Sequence, residues 1–292
     1  MSSVIKAVKE YLESEDFRFT VALIRKSPLT ILGIILVFLL VLLAIFAPII
    51  APYDPLEQNI DIRLQPPSSE HFFGTDQLGR DIFSRVVWGA RISLIIGVVV
   101  VSISLFIGIV IGIFAGYYGG KIDEVLMRVT DMFMAFPRLI LAMAVAVALG
   151  PGLFNTILAM AFVWWSIYAR LIRGSTLQVK NEIYVEAARA VGASNLRIVF
   201  RHVLPMVITP ALVQATLDLG GTILTAAGLG FLGLGVQPPT PEWGLMVSEG
   251  RHYISSQWWV STFPGLMILL ATLGFNLLGD GIRDILDVRE RR

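Results

Sequence analysis

The sequence predicts an all-α polytopic membrane protein with six transmembrane helices. Three observations carry that expectation. Of the 292 residues 55% are hydrophobic and only 15% charged, with a mean hydropathy of +0.75. A soluble domain of this length could not cover its surface with so few charges. Six apolar runs approach or exceed the roughly 20 helical residues that cross a hydrocarbon core about 30 Å thick. The basic residues, finally, gather at alternate ends of those runs.

Leu29 to Ile50 is the first run and carries no charge. It is too long for a signal h-region and ends in Ala47-Pro48-Ile49-Ile50 without an evident cleavage site, so it reads as a retained span. Ile92 to Tyr118 is a second uncharged run. Phe133 to Leu149 is the third, interrupted early by Pro137 and Arg138. Leu153 to Ala169 is the fourth. Val203 to Leu234, the fifth, is long enough to tilt and holds one acid, Asp218; Val260 to Gly279 is the sixth. The domains follow: an N-terminal tail 1–28 with a short interfacial helix leading to Ser27-Pro28, a first span 29–50, an ordered turn-rich segment 51–91, a transmembrane core 92–281 with a long loop at 178–205, and a tail 282–292.

Orientation follows from Lys and Arg, which mark the cytoplasmic side. With the N-terminus inside and six alternating spans, 18 of the 23 fall on the inner side. The outer segment 51–88 holds six acids against three bases. The expectation is a multi-pass protein of the cytoplasmic (inner) membrane with both termini cytoplasmic.

Several chemistries are excluded or disfavoured. There are no cysteines, so disulfides and thiolate sites are impossible. His71, His202 and His252 lie far apart in sequence, and a net charge of +1 gives no reason to propose a nucleic-acid partner. Gly228-Leu-Gly230-Phe-Leu-Gly233 fits G-x-G-x-x-G, but it lies in an apolar span rather than after a strand, so close packing is the expected role. Gly119-Gly120-Lys121 lacks the first glycine and the Ser/Thr of a P-loop, since Ala115 and Ile122 stand there. Gly108, Gly112 and Gly116 recur every four residues and mark a face where another helix approaches closely.

Asn181 to Pro205 is the informative stretch. Asn181 is a plausible N-cap for a short helix with Ile183, Ala187 and Ala190 or Val191 on its apolar side, ended by Gly192 at C′. Ser194 can cap a second short helix with Leu196, Val199, Phe200 and Val203 on one side, and Pro205 marks entry into the fifth span. The loop is thus a compact helix–turn–helix or, alternatively, an amphipathic hairpin on the lipid headgroups.

Glu186-Ala187-Ala188, Gly192 four positions after Ala188, and Leu204-Pro205 resemble the EAA loop of ABC importer permeases, with His202 in place of the usual Ile. The wider chain resembles the C-type subunit of dipeptide, oligopeptide and nickel permeases through Lys26-Ser-Pro-Leu29, Ala51-Pro-Tyr-Asp-Pro55, residues 71–85, 116–123 and 231–239, and Gly279-Asp-Gly-Ile-Arg-Asp284. The resemblance covers residues 26 to 287 and implies a type I ABC importer permease. It implies a second, B-type permease subunit, two cytoplasmic ATPases that bind ATP and Mg, and an extracytoplasmic substrate-binding protein, with no catalytic residue and no cofactor in this chain. Glu186, Ala187, Ala188, Gly192, Leu204 and Pro205 would form the ATPase-coupling loop, and Asp76, Arg80 and Asp81 would contribute to binding-protein docking or an outer gate.

Two roles compete for Asp218 and its neighbour Gln214, one turn earlier: a structural acid bonded to a neighbouring helix, or a translocation-pathway residue. His71, Asp76 and Asp81 superficially suggest a metal site, but turns and salt bridges explain them better. Nickel, glutathione or another small solute is an alternative cargo to peptides. An ion-coupled secondary transporter is a more distant reading, and it predicts inverted repeats that the sequence does not show.

Overall fold

The computed structural model describes residues 22–290, with side chains as far as Leu286. The interfacial helix expected before Ser27 falls mostly outside the described residues. Every helix or strand segment among the described residues is helical.

Helix α1 (Pro28–Ile45) begins at Ser27, whose hydroxyl accepts from the Thr30 amide, with Pro28 in the first turn where its missing N–H costs nothing. The single first span expected over 29–50 is in fact two pieces. Pro48 cannot donate to the preceding turn, so α1 closes at Phe46 and a one-turn helix α2 (Ala47–Ile50) follows. Helix α3 (Ile82–Tyr118) starts ten residues before the apolar run because Asp81 caps it, accepting from the Ser84 amide at 2.7 Å. Its 37 residues extend about 55 Å.

The third span departs most from expectation. Helices α4 (Gly120–Met134) and α5 (Arg138–Leu149) meet at a 90° bend. Pro137 disfavours helical geometry at Phe136, which explains the break. The 12 residues of α5 reach only about 18 Å, short of a bilayer core. Helix α4 is amphipathic instead, and its acids Asp123 and Asp131 pair with Arg173 and Arg170 of α6 (Leu153–Val179). Those pairs explain why α6 runs ten residues past the expected end at Ala169, carrying two arginines.

After α6 come α7 (Ile183–Ala190), the single turn α8 (Asn195–Ile198), a π turn at Val199–Val203, and α9 (Leu204–Phe231). Pro205 does not open a new helix. The π turn, closed by the Leu204 amide on Val199 O, carries the chain from α8 into α9 without a break. A helix absent from the expectations, α10 (Trp243–Gly250), sits between α9 and the last helix α11 (Trp259–Glu290), which continues well past Gly279. Among the described residues five helices are long and apolar enough to span a membrane, or six if the bent pair α4–α5 counts as one span.

Two glycine seams hold the bundle. A Cβ at Gly112 would fall 2.6 Å from Ile172 Cβ, and one at Gly116 would fall 2.7 Å from Thr176 Cβ; Gly108 is closed in the same way by Tyr168. Residues 108, 112 and 116 of α3 thus nest against 168, 172 and 176 of α6, as their spacing predicts. On the other side, Gly33 of α1 lies against the Leu277–Leu278 backbone of α11, and Gly281 lies against Thr30. Gly230 of the G-x-G-x-x-G stretch packs against Glu242 and Leu245, whereas Gly233 forms a left-handed turn (φ +79°) and Gly228 meets nothing.

Gly112→Ala is expected to destabilise the protein by about 1–3 kcal/mol through overpacking, seen as a lower thermal unfolding midpoint in detergent. Gly174→Ala, at a helix-interior glycine of the same bundle with no neighbour within 4 Å, should not lower that midpoint and should raise it slightly.

Candidate functional site

The segment 178–205 forms a helical hairpin locked to the ends of α3 and α6. Val185, Ile198 and Val203 are fully buried and join Ile113 and Ile172 in one apolar cluster. Polar ties reinforce it: the Tyr117 hydroxyl donates to Asn195 Oδ1 at 3.0 Å, and Lys180 Nζ donates to Gly116 O at 2.7 Å. Gly192 (φ +84°) closes α7 in a Schellman turn, with the Ala193 amide on Ala188 O and the Gly192 amide on Arg189 O. No atom lies within 4 Å of a Cβ at 192, so the glycine is required for its backbone angle rather than for space. Ser194 caps α8 through the Arg197 amide, as expected.

Two details of the hairpin differ from expectation. Glu182, not Asn181, occupies the N-cap position, and the Asn181 side chain turns back, its Nδ2 donating to Leu177 O. The apolar faces are also split. Val185 and Val199 point inward, whereas Ile183, Val191, Leu196 and Phe200 are 83%, 84%, 62% and 65% exposed. Helical spacing had grouped Leu196 and Phe200 with Val199 and Val203, but the π turn rotates the chain between them. Glu186 and Ala187 lie on the exposed side, Ala188 is half-buried, Leu204 is half-buried, and Pro205 is exposed.

At the opposite end of α3, residues 51–81 form a compact lobe. Left-handed turns at Gly74 and Gly79 fold it back, and the Leu64 amide on Asp76 O and the Thr75 amide on Gln65 O close it. Asp76 and Arg80 meet at 2.6 Å, and both Arg80 and Arg85 reach Glu249 Oε2 at 3.1 Å. Arg85 also lies 3.5 Å from Asp76 Oδ2 and donates to Pro55 O. Two bases and two acids thus form a neutral, buried cluster that ties the lobe to α10. Asp81 stands apart from it, since one oxygen caps α3 and the other accepts from or pairs with His71 Nδ1 at 2.9 Å.

Asp76, Arg80 and Asp81 are 3%, 1% and 3% exposed, so docking contacts at this end would fall on neighbours such as Phe72 and Tyr53, not on these three. Among the described residues no group of three His, Asp or Glu side chains converges as a metal site. Sequence reading missed Arg85, Glu249 and Glu242. Glu242 caps α10, accepting from the Gly244 and Leu245 amides at 2.9 and 2.8 Å, and burial pushes its carboxyl above the usual range. The surplus of acids in the 51–88 segment was the one signal, but it does not say which acids go inside.

Gln214 and Asp218 do come together, with Gln214 Nε2 donating to Asp218 Oδ1 at 3.2 Å on α9.

Residues 108–292 match the family model of the binding-protein-dependent transport system inner membrane component. The chain belongs to this family. Residues 22–67 match a second model, the N-terminal TM domain of oligopeptide transport permease C. Among related permeases, the chain is 48% identical over 265 residues (91% of this chain, 89% of the relative) to the probable D,D-dipeptide transport system permease protein DdpC of Escherichia coli K12. It is 46% identical over 278 residues (95% and 91%) to the dipeptide transport system permease protein DppC of Alkalihalophilus pseudofirmus. The glutathione transport system permease protein GsiD of Escherichia coli O6 is 47% identical over 264 residues (90% and 87%). A chain of the MetNI methionine ABC transporter, in an inward-facing conformation, shares the fold at a TM-score of 0.54 with 22% identity, over 69% of this chain and 96% of that one. This permease therefore has the membrane-spanning all-α architecture that its apolar runs predict.

Glu249→Ala should leave two buried guanidinium groups facing one carboxylate. A loss of about 3–5 kcal/mol is expected for breaking a buried pair, read as faster proteolysis of the 51–81 lobe. Arg128→Ala, which removes an exposed ion pair on α4, should change nothing measurable.

Proposed function

We propose that this permease forms half of the pathway of an ATP-driven importer of dipeptides or short oligopeptides, and that the 178–205 hairpin couples it to cytoplasmic ATPases. The observation that carries the coupling reading is the split of apolar side chains just described. The inward set fixes the hairpin rigidly to α3 and α6, while Ile183, Val191, Leu196 and Phe200 stand in solvent. Large exposed apolar side chains on a rigid hairpin have the character of interface residues. Exposed Glu186 beside it offers a carboxylate to a basic residue of the ATPase, and the small Ala187 permits close approach.

Mechanically, the ATPases would supply the chemistry and this chain would supply none. Closure of two ATPases on ATP and Mg pushes the hairpins, and the push travels through Val185 and Ile198 into Ile172 and Ile113 as a rigid-body displacement of α3 and α6. A second, B-type permease subunit would complete the pathway, and a substrate-binding protein would dock outside, near the 51–81 lobe. The basic bias of the hairpin end supports a cytoplasmic position for both termini. The peptide cargo rests on the names of the dipeptide relatives. The glutathione relative, at comparable identity, favours that solute as a second reading.

Phe200→Asp combined with Ile183→Asp is expected to cut copurification of the ATPases by about tenfold or more, since each places a charge in a desolvated interface. Gly192→Val should preserve assembly but abolish stimulation of ATP hydrolysis by substrate-loaded binding protein. Normal uptake in both variants would refute the coupling role.

A further inference from the structure

A cleft of about 570 Å³ opens beside the one-turn helix α2, within the size range of ligand-binding pockets. Pro48, Pro52, Tyr53, Trp88, Ile92 and Pro241 form its walls. The level of the cleft in the membrane is fixed twice over. Pro48 lies at the lobe end of the first apolar run, and Ile92 opens the uncharged run to Tyr118 in α3. Both runs therefore leave the hydrocarbon here. Trp88, one turn from Ile92 toward the lobe, stands where an indole ring favours the headgroup boundary. In the other direction Ile95, Val99 and Phe106 continue the same helical face, with Ile95 and Phe106 exposed as lipid tails accept.

Arg91 sits at the edge of this face. The residue is half-buried, and its guanidinium lies 5.2 Å over the Trp88 ring. Among the described residues it completes no ion pair and no hydrogen bond. Arg80 and Arg85, close by in the chain, each meet two carboxylates instead. An arginine at the membrane boundary, seated on an indole and left without an anion, keeps its N–H donors for a ligand. The cleft also carries one acid. Exposed Asp54 lines it and accepts from the Leu56 amide at 2.8 Å through Oδ1, while its other oxygen completes no bond among the described residues.

We infer that this cleft seats one phospholipid of the leaflet on the lobe side, its phosphate on Arg91 and an acyl chain along Ile92, Ile95 and Phe106. Phosphate is the anion that a bilayer supplies at this depth, and a guanidinium matches it with paired N–H donors. Pro48, Pro52 and Pro241 bring no N–H to the wall, so few polar groups compete there with an apolar chain. Asp54 then selects the headgroup. With a cation and a carboxylate at one cleft, a phosphoethanolamine headgroup finds both of its charges answered, whereas an anionic phosphoglycerol headgroup answers only one. The site stands apart from the importer reading, since it needs only that α1 and α3 cross a bilayer. The competing occupant is an apolar side chain of another subunit.

The test uses the assembled transport complex, stripped of lipid with excess detergent. Phosphatidylethanolamine or phosphatidylglycerol with identical acyl chains is then titrated in, and the bound lipid is counted by native mass spectrometry. One tightly held phosphatidylethanolamine per copy of this chain is expected, with phosphatidylglycerol held more weakly. Arg91→Ala should lower the affinity for that lipid about tenfold, the loss of a hydrogen bond to a charged group. Arg63→Ala, at an exposed arginine of the lobe outside the cleft lining, should change nothing. The chain has no cysteine, so Ile92→Cys can carry a benzophenone in a complex that keeps Arg91. In phosphatidylethanolamine vesicles that probe should photocrosslink to lipid. Crosslinking to another subunit instead, or equal lipid affinity with and without Arg91, overturns the site. Equal affinity for the two lipids overturns the role of Asp54.

Discussion

The contact on which the rest of the structure depends is the glycine seam between α3 and α6. Between transmembrane helices there is no hydrophobic gain from leaving lipid, so association relies on close packing. Gly108, Gly112 and Gly116 let the backbones of the two helices approach until Tyr168, Ile172 and Thr176 nearly touch the α3 main chain. Everything at the hairpin end is hung from this pair. Ile113 and Ile172 form the floor on which Val185 and Ile198 sit, Lys180 of the loop caps the Gly116 carbonyl, and Arg170 and Arg173 of α6 hold α4 by its acids. A bulge anywhere along the seam would therefore shift the hairpin and the α4–α5 elbow together.

The two ends of the molecule solve opposite problems. At the 51–81 lobe the charges are inside: Asp76, Arg80, Arg85 and Glu249 neutralise one another and fix a loop that has little regular structure. Such a cluster is weak evidence for net stability, because desolvation offsets much of the attraction, but it permits few alternative arrangements once formed. At the hairpin one apolar set is buried, and a second, Ile183, Val191, Leu196 and Phe200, is outside. The lobe thus pairs its charges within the chain, while the hairpin leaves four large apolar side chains uncovered.

Which parts were legible in advance follows from range. Local signals read well: Ser194 as a cap, Gly192 as a helix stop, and the four-residue glycine repeat as a packing face. Each of these depends on neighbours within a turn or two. Pro137 was visible as an interruption, yet a hydropathy profile cannot separate a kinked span from a 90° elbow, since both have the same composition. The ion cluster joins residues 76, 80, 85 and 249, and no local pattern links positions that far apart. The hairpin faces were misassigned for a subtler reason: one extra residue in the π turn at Val199–Val203 changes the angular register, so positions grouped at 3.6-residue spacing separate.

Helix α3 is nearly twice as long as a bilayer core is thick, and it is clamped at both ends. Arg85 binds its first turn into the lobe and α10, and Gly116 binds its last turn to α6 and the hairpin. A helix so held behaves as a stiff beam. Tilting a beam of about 55 Å by 10° about its midpoint would carry each end sideways by about 5 Å, in opposite directions. A modest rotation at one membrane surface is thereby delivered to the other without any change in secondary structure along the way.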